Sequence, residues 1–344
     1  MEGIGGAVWK RNVRDALSEA RNQMEAGLIQ GGVFAAQGRE PVAFGLQTVH
    51  PEAVPMTAEP RFDIASFGKV FTASCCAALA AEGKLDPDAP FTEYLPDHIL
   101  GAKCRITVRD FATHSSGFTN DKPYAKDDPE AFYRELMRMK PVRERGEAFE
   151  YSCYGFILLG VILNRLTGKD LDTLAREIVW GPLGMTHTTW NAPGDGPDEV
   201  EHWYPNRPAG RHNDDVCFRV NVPLGSGSCF STCGDMMKFV RDIAERRHFP
   251  QAYYDLLTTC CWEGRAVQPG GTGPARRSFG WDMCADRRPE TFSDRAVFHS
   301  GWTGQTIAVD PVRGLGAMIM TSRTGDWELA NRGRARLIDI LCRK

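Results

Sequence analysis

No run of about 18 consecutive apolar residues occurs in the 344-residue chain, so the sequence offers no membrane-spanning helix. The first ten residues lack a charged segment followed by an apolar one, and no export signal is read there. Charge of one sign is not in excess either: the formal net charge is -3, which gives no general attraction to nucleic acid or an anionic membrane. Charge runs such as Arg143-Glu144-Arg145 are mixed in sign and read as solvated surface. Internal repeats and low-complexity segments are missing. So is metal-ligand spacing, because Cys229 and Cys233 have neither a second pair nor a histidine at a zinc-like distance. The 11 cysteines are odd in number and include the adjacent pairs Cys75-Cys76 and Cys260-Cys261, which argues against a disulfide framework. Together these features place the chain in a reducing cytoplasm, with no metal or organic cofactor, nucleic acid or membrane among its expected partners.

What is present is ordinary for a globular protein: 42% apolar and 25% charged residues, in a length that suits one large domain or two modest ones. Residues 12–28 carry helical spacing (Val13, Ala16, Leu17, Ala20, Met24, Leu28), and Gly31-Gly32 is expected to end that helix. Residues 32–37 and 41–49 read as two strands joined at Gly38-Arg39-Glu40. Residues 106–187 read as mainly helical, with Thr107 capping 108–113, a polar helix over 128–139, an apolar one over 155–167 stopped by Gly168, and another over 171–179. Residues 191–223 show little periodicity and predict a long functional loop, with Trp203 and Tyr204 and the segment 224–228 as candidate pocket wall. Thr232 and Asp235 resemble a capping box opening a helix over 236–244. Strands return at 278–284, 296–299, 306–310 and 316–322, before a closing helix over 328–341. The economical fold is α/β (α+β): one antiparallel sheet built from both ends of the sequence (about 12–62 and 265–344), flanked by helices, with a mainly helical subdomain inserted (about 63–264), all in a single domain over 12–344.

Three stretches carry chemistry. In Asp63-Ile64-Ala65-Ser66-Phe67-Gly68-Lys69, Ser66 and Lys69 are three apart and share one helix face. Residues 70–81 behind them are apolar nearly all round, the mark of a central buried helix. Ser66 would occupy the first turn, where unpartnered N–H groups favour negative charge. A serine hydroxyl is a poor nucleophile until something takes its proton. Lys69 can do so when partly neutral, a state that burial favours. Tyr151, in Glu150-Tyr151-Ser152-Cys153, is the second candidate base, its phenolate steadied by Lys69. The third stretch, His299-Ser300-Gly301-Trp302, follows a strand. Its small residues let a substrate approach the sheet edge, and the Trp302 N–H with that of Ser66 would form an oxyanion hole.

Ser-x-x-Lys on a buried helix, then Tyr-Ser-x, then His-Ser-Gly on a late strand, resembles the serine β-lactamase and penicillin-binding protein family, in the branch of class C β-lactamases, D-peptidases, esterases and amide hydrolases. Supporting stretches are Glu82-Gly83-Lys84-Leu85, Thr113-His114-Ser115-Ser116-Gly117, Tyr154-Gly155-Phe156-Ile157-Leu158-Leu159-Gly160, Gly181-Pro182-Leu183-Gly184-Met185 and Phe230-Ser231-Thr232. The resemblance implies that Ser66 is acylated, Lys69 shuttles its proton, and Tyr151 acts as general base. His299 would orient substrate and, if protonated, help keep Tyr151 acidic. His114 is expected to be a turn histidine. One departure stands out: the family's Tyr-x-Asn ends here in Cys153, and a thiol is a weak donor beside a carboxamide. The expectation is therefore an acyl-enzyme hydrolase of small esters or amides, esterase-like, with weak β-lactamase activity. Its rivals are a D-amino-acid amidase or peptidase and, from another class, an inactive scaffold of the same fold.

Overall fold

The computed structural model describes residues 5–120, 128–194, 196–202, 207–267 and 272–344. Strands β1 (Ile29–Ala36), β2 (Val42–Thr48) and β3 (Val54–Pro55) come from the start of the chain. β4 (Phe62–Asp63) pairs with β5 (Phe230–Ser231), and β6 (Trp262–Arg265) pairs with β7 (Pro274–Arg277). β8 (Val297–Gly301), β9 (Gln305–Asp310) and β10 (Leu315–Arg323) come from the end. The main sheet runs β3-β2-β1-β10-β9-β8, and every neighbouring pair is antiparallel. The central pair, β1 with β10, joins the two ends of the sequence, as the strand pattern predicts.

Period-two alternation gives this sheet two buried faces. Phe34, Ala36, Ala317 and Ile319 pack with Ala16, Ala20, Leu337 and Leu341 from the helices Gly6–Glu25 and Trp327–Leu341. Val33, Ala35, Met318 and Met320 point the other way, into a larger core with Phe239, Val240 and Ile243 of the helix Cys233–Glu245. The helix Gly68–Ala81, which follows Ser66, runs through that larger core, with residues 68–79 all buried. Its Phe71 meets Trp180 and Phe239 edge-on, with ring centres 5.4 and 5.2 Å apart. A helix without a solvent face cannot rotate without opening a cavity, which fixes the direction of every side chain on it.

Several boundaries differ from the sequence expectation, each for a local reason. The first helix spans Gly6–Glu25, and the chain turns at Gly27 with φ +68°. Gly31 and Gly32 belong to β1 instead of ending the helix. A Cβ on Gly31 would lie 2.5 Å from the Leu46 backbone, and one on Gly32 2.4 Å from the Met320 carbonyl, so these glycines serve close strand packing. The strand expected over 278–284 lies earlier, at β7; the chain then turns through Gly280 (φ +87°), and Asp282 bridges both Arg277 and Phe298. Within 191–223 a short helix, Asp215–Val220, starts where Asp214 accepts the N–H groups of Val216 and Cys217. The box at Thr232 is half formed: Thr232 accepts from Asp235 N–H, while the Asp235 carboxylate is engaged by the His187 N–H and the Thr188 hydroxyl. A reciprocal box closes instead at Thr107 and Asp110.

Candidate active site

Ser66 sits in a 3-10 turn, Ala65–Phe67, that runs directly into the helix Gly68–Ala81. It thus precedes the α-helix proper, and Ala65 takes a left-handed φ of +46° to turn the chain there. Such a conformation is costly for a residue with a Cβ and has to be held from outside. Three segments hold it. Asp63 accepts the Ala65 N–H (2.8 Å) and the Asn213 N–H (2.6 Å). Ser228 N–H donates to the Ala65 carbonyl (2.9 Å), and Gly227 lies so close that a Cβ on it would come 3.1 Å from Ser66 Cα. From the sheet, Thr303 Oγ1 donates to the Asp63 carbonyl (2.7 Å), and a Cβ on Gly301 would fall 2.6 Å from the Ile64 carbonyl oxygen. The backbone of Trp302 is thereby pinned on both sides against the turn that carries Ser66.

Lys69 is fully buried, and its Nζ lies 3.3 Å from Ser66 Oγ. The same ammonium reaches Cys153 Sγ at 3.4 Å and donates to the Ser226 carbonyl. It also stands 4.8 Å from the centre of the Tyr151 ring and 5.8 Å from that of Phe156. Ser66 and Tyr151 are half-buried, so one face of the cluster is open while Lys69 stays dry. The structure therefore brings Ser66, Lys69, Tyr151 and Cys153 together from two separate regions of the sequence.

Residues 224–228, expected as pocket wall, are wedged beneath the turn that carries Ser66. Thr72 Oγ1 donates to the Gly225 carbonyl, and a Cβ on Gly225 would lie 2.1 Å from the Phe156 carbonyl. The segment threads between the helices Gly68–Ala81 and Cys153–Thr167, which requires glycine. The other proposed wall residues, Trp203 and Tyr204, lie outside the described residues. Residues 198–202 bind behind the site instead: Arg61 pairs with Glu199, and Asp63 N–H donates to His202 Nε2 at 3.2 Å.

His114 is the turn histidine expected, with φ +59°. Its Nδ1 accepts the Ser152 N–H at 3.0 Å, and its ring lies against Tyr151, centres 4.6 Å apart. His299 is buried against Phe67, ring centres 5.5 Å apart. Burial first, then the charges of Arg277 and Lys69, hold its imidazole well below the ordinary histidine value. This direction favours the neutral imidazole, whereas the role of keeping Tyr151 acidic is expected only of a protonated His299. Ser300 turns away from it, its hydroxyl bonded to Asn331 at 2.9 Å. Trp302 is 46% exposed and stacks on Trp327, with the Arg323 guanidinium 4.4 Å from its ring centre.

Sequence reasoning missed Arg277, a buried cation whose charge acts on both His114 and His299. It also missed Asn120, whose Oδ1 receives the Cys153 N–H at 3.0 Å. Among the described residues no group of histidine, cysteine and carboxylate side chains could hold a metal.

The sequence model of the Beta-lactamase family matches residues 18–340. The chain belongs to this family. A putative D-alanyl-D-alanine carboxypeptidase of Escherichia coli (strain K12) is 25% identical to this beta-lactamase-family protein over 319 residues, covering 79% of this chain and 71% of the relative. Among solved structures, EstCE1, described as a hydrolase with promiscuous acyltransferase activity, aligns with a TM-score of 0.79 at 18% identity, covering 98% of this chain and 100% of its own. D-amino acid amidase from Ochrobactrum anthropi SV3, complexed with D-phenylalanine, aligns with a TM-score of 0.76 at 22% identity, covering 96% and 98%. The family is one of serine hydrolases and spans esterase, amidase and peptidase members. No helix among the described residues of this family member is long and apolar enough to cross a membrane.

Proposed function

We propose that this protein is a serine hydrolase that forms an acyl-enzyme on Ser66 with a small ester or amide, in the manner of an esterase. The observation that carries the reading is the 3.3 Å contact between the buried Lys69 Nζ and Ser66 Oγ, at a turn held from three sides. Ser66 Oγ attacks the carbonyl while its proton passes to the Lys69/Tyr151 pair. The N–H groups of Ser66 and Trp302 receive the oxyanion. The pair returns the proton to the leaving alcohol or amine, and water then releases the acid by the reverse sequence. Pinning Trp302 through Gly301 and Thr303 supports its N–H in that role, since preorganised donors need no rearrangement as charge develops. Cys153 beside Lys69 places a thiol where an acylamino group would seek an amide, which favours simple esters over penicillins. None of the 11 cysteines is joined in a disulfide, which supports a reducing cytoplasm.

The carboxypeptidase relative and the D-amino acid amidase neighbour favour one second reading, hydrolysis of D-amino acid amides or peptides. Intact-mass measurement tests the main proposal. A fluorophosphonate should add one adduct to the wild type and none to Ser66→Ala, and Lys69→Met should lower ester turnover by about 100-fold or more. Absence of the adduct would leave an inactive scaffold. Faster turnover of D-amino acid amides than of short p-nitrophenyl esters would select the second reading.

A further inference from the structure

Cys153 puts a nucleophilic sulfur inside the Ser66 cluster that the acyl-enzyme route does not use. Its Sγ lies 3.4 Å from Lys69 Nζ, the same amine that stands 3.3 Å from Ser66 Oγ. Lys69 is fully buried, and its amine is held in place by donation to the Ser226 carbonyl and by the Tyr151 and Phe156 rings. The sulfur is fixed as well. Cys153 opens the helix Cys153–Thr167, and Asn120 Oδ1 accepts its N–H at 3.0 Å. A thiol reacts with oxidants as its anion, and Lys69 Nζ is placed to take that proton. Other thiols of the chain are differently set: burial pushes those of Cys75, Cys76, Cys229 and Cys233 up, and apolar packing leaves such groups inert. Cys153 is 6% exposed and belongs to a cluster whose open face carries the half-buried Ser66 and Tyr151. A site that admits an ester admits hydrogen peroxide, which is smaller.

We infer that Cys153 and Lys69 form a reversible oxidation site, at which hydrogen peroxide converts the thiol to a sulfenic acid and Lys69 Nζ then closes on the sulfur in an S–N link that silences hydrolysis. In the first step Sγ attacks a peroxide oxygen. An S–O bond forms, the O–O bond breaks, and the departing hydroxide leaves as water with the thiol proton. Sulfur gives up two electrons and peroxide accepts them. In the second step the neutral Lys69 amine attacks sulfur. An S–N bond forms, the S–O bond breaks, and hydroxide leaves as water with one amine proton. The two steps together consume one peroxide and remove two hydrogens from the protein. A thiol reductant reverses the link: its sulfur first takes Cys153 into a mixed disulfide and frees the amine, and a second thiol then releases Cys153. While the link lasts, Lys69 cannot accept the Ser66 proton. The link itself depends only on the pair, whereas its effect on turnover rests on the acyl-enzyme reading at Ser66.

The test treats the wild type, Cys153→Ser and Lys69→Met with hydrogen peroxide, reading mass in all three and p-nitrophenyl ester turnover in the first two. In the wild type, turnover should fall by about 100-fold. Peptide mapping should find residues 69 and 153 in one cross-linked species, two hydrogens lighter than its unlinked parts, and dithiothreitol should restore both rate and map. Cys153→Ser should hold its own untreated rate under the same peroxide. Lys69→Met should form no link, and dimedone should trap its Cys153 as the sulfenic acid. A wild type that keeps its rate, an equal loss in Cys153→Ser, a loss that dithiothreitol does not reverse, or oxidised Cys153 without the link to Lys69 each overturns the inference. Should a variant not fold, the wild-type map decides. Fluorophosphonate labelling of untreated protein separates the two levels. Ser66 labelled with no link mapped rejects the oxidation site alone. Ser66 unlabelled rejects the acyl-enzyme reading, and the map then decides the oxidation site, absence of the link overturning it.

Discussion

The imidazole of His114 lies against the phenol ring of Tyr151, 4.6 Å between centres and inclined by 33°, while its Nδ1 takes the N–H of Ser152. One histidine thus sets both the ring and the backbone of the candidate base. Its own conformation, at φ +59°, suits few residues other than Gly, Asn and Asp. His114→Asn can keep the turn and an acceptor for Ser152 while losing the ring contact. The variant should fold, and kcat/KM for a p-nitrophenyl ester should fall by about 10- to 100-fold, the scale of a base displaced by a fraction of an ångström to one ångström. Full activity would show that His114 only fills space.

Asp63 gives the pH dependence of stability. Burial raises its carboxyl to about 7, against the N–H bonds from Asn213 and Ala65, and the charge of Asp214 pushes the same way. A carboxyl whose folded value exceeds its unfolded value of about 3.9 stabilises most at acid pH. That contribution is full below about pH 4 and is lost as the pH climbs through 7. Urea unfolding of wild type and Asp63→Asn should therefore give a stability difference that shifts in favour of Asn across that window. The second acceptor that Asn lacks adds a constant offset and leaves the shape intact. A flat difference curve would mean that Asp63 titrates normally.

Cys153 tests specificity. Exchanging its thiol, 3.4 Å from Lys69 Nζ, for a carboxamide restores a donor and acceptor for a substrate amide. Cys153→Asn should raise nitrocefin hydrolysis relative to p-nitrophenyl butyrate by about tenfold, the worth of one hydrogen bond. Steady-state rates on the two substrates check this, and an unmoved ratio would assign the preference elsewhere.

Gly227 tests the support beneath the Ser66 turn. Its φ is +147°, and a Cβ would lie 2.7 Å from the Ala65 carbonyl. Gly227→Ala should cost about 1–3 kcal/mol in stability, and the fraction that stays folded should acylate more slowly because the strain falls on the Ser66 turn. Thermal melting and the rate of fluorophosphonate labelling check the two effects separately.

Much of this was legible in the sequence because it depends on local patterns. A segment apolar all round gave the buried helix behind Ser66, and alternation gave the strands of both sheet ends. Residue spacing then brought Ser66 and Lys69 to one face. Arg277 was hidden for a different reason. One of two adjacent arginines after Pro274 and Ala275 reads as surface, and only the turn at Gly280 with the Asp282 bridge carries it inward. The helix Asp215–Val220 was missed because six residues are too few for periodicity to register. Asp235 matched a capping box by spacing, yet tertiary contacts with His187 and Thr188 claimed its carboxylate.

The sheet's central seam joins residue 33 to residue 320. During synthesis on the ribosome the opening hairpin must therefore wait, one edge uncovered, until β10 has emerged. Contacts so distant along the chain make for slow acquisition of the native state, and an unsatisfied strand edge invites association with other nascent chains. Yield of native protein should thus respond to translation speed and to chaperone supply more than to any single side chain.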